Sequence, residues 1–278
     1  MSILEKIPQL RPVLDQCAEV AGYLWQKGWA ERNGGNMTYN LTDLIPEEFR
    51  SLPAISEPIP IGCRLPAIEG FWFYAKGTGR RMRDLARKPL ENGSIIRILP
   101  GSEQYEIVAD EPVMPTSEIS SHLSLQNHLV ASGSSYKATL HTHPIELVAL
   151  SHIRHFCSSE ELTRTLWSMI PETLAFAPLG LGFIPFECPG TVALAEATLR
   201  EIGTHDVVLW EKHGTVAVGT DMMDAFDQTD VLNKSACIYR EAALIKASLN
   251  FAARPEGMSD EQMKGIQELF KLPTERIK

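Results

Sequence analysis

A chain of 278 residues, 44% hydrophobic and 22% charged, is long enough to bury a sizeable core without disulfide or metal staples. No apolar run approaches the roughly 18 residues of a membrane span. The net charge of -9 excludes general nucleic-acid binding, which draws its affinity from phosphates neutralised over a basic face.

The N-terminal stretch carries Glu5, Lys6, Pro8 and Arg11 where an export signal needs unbroken apolar residues. Five scattered cysteines, Cys17, Cys63, Cys157, Cys188 and Cys237, have no C-x-x-C spacing and read as reduced thiols of a cytoplasmic protein. Apolar residues at helical spacing predict a helix over Leu10 to Lys27, with Pro12 in its first turn and Gly28 as its stop. The chain then turns through Asn33-Gly34-Gly35-Asn36 into a strand at Met37 to Leu41. Prolines 46, 53, 58, 60 and 66 break up the following stretch, so residues 45–66 are expected as an extended surface insertion. Strands are predicted at Phe71 to Ala75, Ile95 to Leu99 and Ala138 to His143, with a helix starting at Ser117 whose inward face holds Ile119, Leu123 and Leu129 or Val130. Further strands are expected at Leu174 to Phe176, Val207 to Trp210 and Thr215 to Val218, and helices at Thr191 to Ile202 and Asp221 to Leu249. Ser259 to Gln262 has the form of a capping box for a last helix ending near Leu272. Strands and helices interspersed throughout predict an α/β layered domain.

Strand alternation puts His141 and His143 on one face, with Cα atoms about 6.6 Å apart. Two imidazole nitrogens on one tetrahedral zinc sit roughly 3.4 Å apart, a gap that inward-leaning side chains can close. His213, in a turn between two apolar strands, is the best third ligand; His128, His152, His155 and His205 have polar surroundings that suit the surface. Three histidines without clustered cysteines fit a catalytic zinc that keeps one position open. Glu118 is the candidate base in the first turn of its helix, and His122 falls four residues on, on the same helical face. Lys76 to Lys88 holds six basic residues against one acidic, following a strand and opening on Gly77-Thr78-Gly79, where backbone N–H groups and the hydroxyl can approach an anion.

Taken together, Lys27 to Asn36, Gly77-Thr78-Gly79, Pro115 to Glu118, His141-Thr142-His143 and Trp210 with His213-Gly214 resemble the class II aldolase/adducin family over nearly the whole chain. The resemblance implies a single α/β/α three-layer domain, residues 1–278, with a largely antiparallel sheet, assembled as a homotetramer. It implies one Zn2+ per subunit on His141, His143 and His213, with Glu118 as acid/base. Asn33, Asn36, Thr78 and Gly79 would hold the substrate phosphate, and Glu172 would act from a neighbouring subunit. The implied reaction is reversible cleavage of a ketose 1-phosphate through a metal-stabilised enediolate. The long asparagine-glycine stretch favours L-rhamnulose 1-phosphate, giving dihydroxyacetone phosphate and L-lactaldehyde in rhamnose catabolism. Thr78, where serine is expected, and the pair Arg80-Arg81 depart from the family pattern. Other family chemistries at the same metal are the alternative: fuculose-phosphate aldolase, pentulose-phosphate 4-epimerase or a dehydratase. A non-catalytic adducin-like module has no need of three histidines and a glutamate.

Overall fold

Leu14, Cys17, Val20, Ala21 and Leu24 are all buried along α1 (Arg11–Gln26), the stripe that the helical spacing predicts. The helix is one residue shorter at each end than expected, and Gly28 leaves it at φ 73°. The computed structural model describes residues 2–251 and 254–272. It has two units, one made of Met1–His143, Cys188–Leu199 and Val218–Phe226, the other of Pro144–Glu187, Arg200–Ala217 and Asp227–Lys278.

The first unit carries β1 (Asn36–Asn40), β2 (Ile59–Pro60), β3 (Trp72–Lys76), β4 (Gly93–Ile98), β5 (Gln104–Ile107) and β6 (Ala138–Thr142), all paired antiparallel in the order β2-β5-β4-β3-β1-β6. In the central pairs Thr38 lies opposite Ala75 on one side and Thr139 on the other, and Asn36 lies opposite His141. Ile119 and Leu123 of α2 (Ile119–Ala131) join a core with Phe73, Ala75, Ile96, Ile98 and Ile107. Glu118, not Ser117, takes the position just before the first turn of α2. The proline-rich insertion differs from the surface excursion expected of it. Its Ile59 and Pro60 extend the sheet, while Ile61 and Leu65 are buried in the same core. Hydrophobic burial thus overrides the proline content there, with β2 limited to the two-residue edge that proline tolerates.

In the second unit the helices are α3 (Ile145–Leu150), α4 (Ser159–Met169) and α5 (Pro171–Phe176), followed by β7 (Leu181–Ile184). The strand expected at Leu174 to Phe176 is instead the end of α5. Pro171 occupies its first turn, where a missing N–H costs nothing, and Pro178 prevents its continuation. Gly180, at φ 72°, then opens the strand that the sequence reading did not find. After α6 (Val192–Ile202), β8 (Val207–Trp210) runs parallel to β7 and antiparallel to β9 (Gly214–Gly219). α6, β9 and the long α7 (Met222–Ser248) contribute residues to both units; within the first, Lys137 N–H at the entry to β6 donates to Gly219 carbonyl (2.9 Å). The final helix, α8 (Asp260–Phe270), carries the predicted capping box from Ser259 and Gln262 and packs Met263 on Trp167 and Leu174. The fold is α/β with a largely antiparallel sheet. Among the described residues, no helix is long and apolar enough to cross a membrane. All five cysteines are free thiols.

Candidate metal centre and its carboxylate

At the end of β6 the Nε2 atoms of His141 and His143 stand 3.3 Å apart, the separation that two ligands of one tetrahedral ion require. Thr142, between them, points the other way and donates its hydroxyl to Trp29 carbonyl (2.8 Å), while His143 N–H donates to the same oxygen (2.9 Å). The strand end is therefore pinned, with both rings on one side. Nδ1 of His143 lies 2.8 and 2.9 Å from the two carboxylate oxygens of Glu31. Glu31 can only accept, so Nδ1 carries the proton and Nε2 offers its lone pair. The sequence reading missed Glu31, which no motif or periodicity links to a histidine 112 residues away.

His213 closes the Trp210-to-Gly214 hairpin, with its N–H on Trp210 carbonyl (3.1 Å) and Lys212 before it at φ 59°. His141 and His143 of the first unit each offer one ligand atom, and the third expected ligand, His213, belongs to the second unit. Paired imidazoles presenting their Nε2 atoms at ligand spacing suit a divalent cation; these residues fit the metal that the family resemblance implies.

The turn ahead of β1 is shaped by the histidines. A side chain at Gly34 would place its Cβ 3.1 Å from Cε1 of His143 and 2.9 Å from Glu31 carbonyl, and one at Gly35, already at φ 69°, would meet His141 carbonyl at 2.9 Å. Lys76, read in the sequence as part of the basic anion stretch, is 2% exposed and braces this turn instead. Its ammonium donates to the carbonyls of Asn33 and Gly35, both at 2.7 Å. Burial pulls its pKa down to about 8, against the pull of the Glu118 carboxylate. Of the other basic residues there, Lys88 pairs with Glu91 and Arg83 lies over Trp25, leaving Arg80, Arg81 and Arg87 exposed.

Glu118 ends a chain of buried polar groups. Its Oε2 accepts from the side-chain amide of Asn36, whose carbonyl oxygen bonds Nε2 of His122. Nδ1 of His122 lies 2.7 Å from the Thr139 hydroxyl, which in turn bonds that of Thr38. Burial holds the His122 pKa down at about 4, outweighing the neighbouring Glu118 charge, so the ring is neutral. Thr78 and Gly79 sit in an exposed turn tied to the segment before Glu118: Thr78 N–H donates to Met114 carbonyl (2.9 Å) and Thr116 N–H to Lys76 carbonyl (2.8 Å). Glu172 is exposed in the first turn of α5.

The model of the class II aldolase and adducin N-terminal domain matches residues 15–240. The chain is 56% identical over 272 residues to rhamnulose-1-phosphate aldolase of Bacteroides thetaiotaomicron, covering 98% of this chain and 99% of that one. It is 33% identical to rhamnulose-1-phosphate aldolase of Pectobacterium carotovorum subsp. carotovorum, over 77% of this chain and 79% of that one. Among solved structures, a sugar-phosphate aldolase from Thermotoga maritima superposes with a TM-score of 0.75 at 31% identity, covering 88% of this chain and 98% of that one. With the histidine pair, the carboxylate and the sheet all in place, these likenesses show that the chain belongs to the class II aldolase and adducin family.

Proposed function

We propose that this chain is a zinc-dependent aldolase that reversibly cleaves L-rhamnulose 1-phosphate to dihydroxyacetone phosphate and L-lactaldehyde, a cytoplasmic catabolic enzyme working as a homotetramer with the whole chain as one catalytic domain. The observation that carries the reading is the 56% identity, across 98% of the chain, to a rhamnulose-1-phosphate aldolase. His141, His143 and His213 would hold the cation. When bound there, zinc supplies Lewis-acid stabilisation of the negative charge that develops on the ketose oxygens as the C3–C4 bond breaks.

The protein's own groups do the rest. Glu118 returns a proton to C3 in cleavage and removes it in synthesis, with Oε2 fixed by Asn36 and Oε1 as the atom that carries the proton. Asn33, Asn36, Thr78 and Gly79 hold the phosphate. Gly79, at φ 67° with open space beside it, lets backbone N–H groups approach an anion, and Asn36 has a second amide hydrogen beyond the one given to Glu118. Glu172, exposed on its own subunit, serves the site of a neighbouring copy.

The test is a panel of phosphorylated ketoses, assayed for released aldehyde, on protein whose metal content has been measured as purified. Cleavage of rhamnulose 1-phosphate ahead of fuculose 1-phosphate, with about one zinc per subunit, is the expected result. Preferential turnover of another ketose, or epimerisation without cleavage, overturns it.

A further inference from the structure

The buried hydrogen-bond chain behind Glu118 has a direction. Only the amide nitrogen of Asn36 can donate to a carboxylate, so its Oδ1 must face His122 and must accept. Nε2 of His122 therefore carries the proton, and in the neutral ring Nδ1 is left as an acceptor. The Thr139 hydroxyl, 2.7 Å from Nδ1 against 3.3 Å for that of Thr38, then donates to it, and Thr38 supplies the hydrogen that Thr139 accepts. From Thr38 through Thr139, His122 and Asn36, every donor points toward Glu118. His122, Asn36, Thr38 and Thr139 are between 0% and 5% exposed. In so dry a setting each bond polarises the next, and a missing link leaves a buried polar atom without a partner.

The local scaffold has no other need of these groups in this arrangement. His122 sits on α2 one turn beyond Glu118, and its N–H already serves the helix by donating to Glu118 carbonyl (3.2 Å). Thr38 and Thr139 face one another across β1 and β6, positions that apolar β-branched residues fill equally well. What the chain accomplishes is to hold one named oxygen of one carboxylate.

We propose that His122 is a positioning residue for the acid/base step: acting through Asn36 and backed by Thr139, it locks Oε2 of Glu118 so that Oε1 is presented to the substrate carbon. The inference rests on the acid/base role proposed for Glu118. It implies that replacing the imidazole slows proton transfer at C3 more than it weakens substrate binding, to which Asn36 also contributes.

The experiment measures exchange of the C3 hydrogen of dihydroxyacetone phosphate with D2O by NMR, at saturating substrate and with metal content determined for each variant. H122L removes both links and is expected to lower the maximal exchange rate about 10- to 100-fold, with a smaller rise in KM through the loosened Asn36. H122Q is expected to recover most of the rate, because its amide can donate to Asn36 and its carbonyl can accept from Thr139. T139V, nearly isosteric, is expected to slow exchange about threefold. A metal-loaded H122L at the wild-type rate, a loss confined to KM, or H122Q as slow as H122L would each overturn the proposal. If H122L does not fold, T139V exchanging at the wild-type rate overturns it. A wild-type chain that exchanges this hydrogen but does not cleave rhamnulose 1-phosphate overturns the substrate reading alone, and the variants then decide the role of His122 on exchange rates.

Discussion

Glu31 settles which nitrogen of His143 is available to a cation, because a carboxylate against Nδ1 leaves only Nε2. Glu31→Ala is expected to weaken metal affinity about 10- to 100-fold, read by chelator competition, with the fold retained because this side chain is mostly solvent-exposed. Glu118→Gln keeps the hydrogen bond from Asn36 but has no proton to exchange at working pH. Its kcat for ketose cleavage is expected to fall about 10²- to 10⁴-fold at unchanged metal content. His122 gives the wild type a pH signature in stability. The folded ring binds a proton only near pH 4, whereas the unfolded ring does so near its ordinary value of 6.5. As pH falls from 6.5 to 4 the unfolded state takes up the proton first, so stability drops across that window and is restored above it, by on the order of 3 kcal/mol in full. Urea denaturation at pH 7 and pH 4.5 should show this slope in the wild type and a flatter one in H122Q.

At the scale of elements, the histidine pair was legible because strand periodicity alone sets which side chains share a face, and β6 follows it. Glu118 with His122 was legible as one turn of a helix, but Asn36 between them was not, since its place depends on the register that sets it opposite His141. α1, α2, α6, α7 and α8 and most strands were found within about two residues of their ends, the usual boundary error. β2, β5 and β7 were missed, as were α3 and α4. The strands have four residues or fewer, too few for alternation to stand out, and the apolar run at the end of α5 reads equally well as strand or helix until the flanking Pro171 and Pro178 are weighed. The loop after β3 depends on a glycine in a way that can be measured. A Cβ at Gly77 would lie 2.6 Å from Val113 Cγ1 and 2.9 Å from Asn92 carbonyl, so Gly77→Ala must push the turn carrying Thr78 and Gly79 away from the segment leading to Glu118. Loss of about 1–3 kcal/mol of stability is expected, with a raised KM for the ketose phosphate and a smaller change in kcat; unchanged KM would remove that turn from the phosphate site.

For the whole molecule, the role proposed for Glu172 requires a second copy of the chain. It is exposed in the first turn of α5, and Phe176, one turn on and on the same helical face, is 63% exposed. A large apolar side chain beside a lone carboxylate is what a second copy would cover, and covering Phe176 would carry Glu172 into the neighbour's territory. In a symmetric assembly built that way, each site takes Glu118 from one subunit and Glu172 from another. Two individually crippled variants, Glu118→Gln and Glu172→Ala, should then complement. Unfolded together at equal amounts and refolded, they form mixed oligomers in which about one site in four has both glutamates intact, and cleavage should return to about that fraction of the wild-type rate. Each variant refolded alone stays inactive. If Glu172 served the site of its own chain, no mixture could ever place both intact residues in one site, and the co-refolded sample would be no more active than its two components.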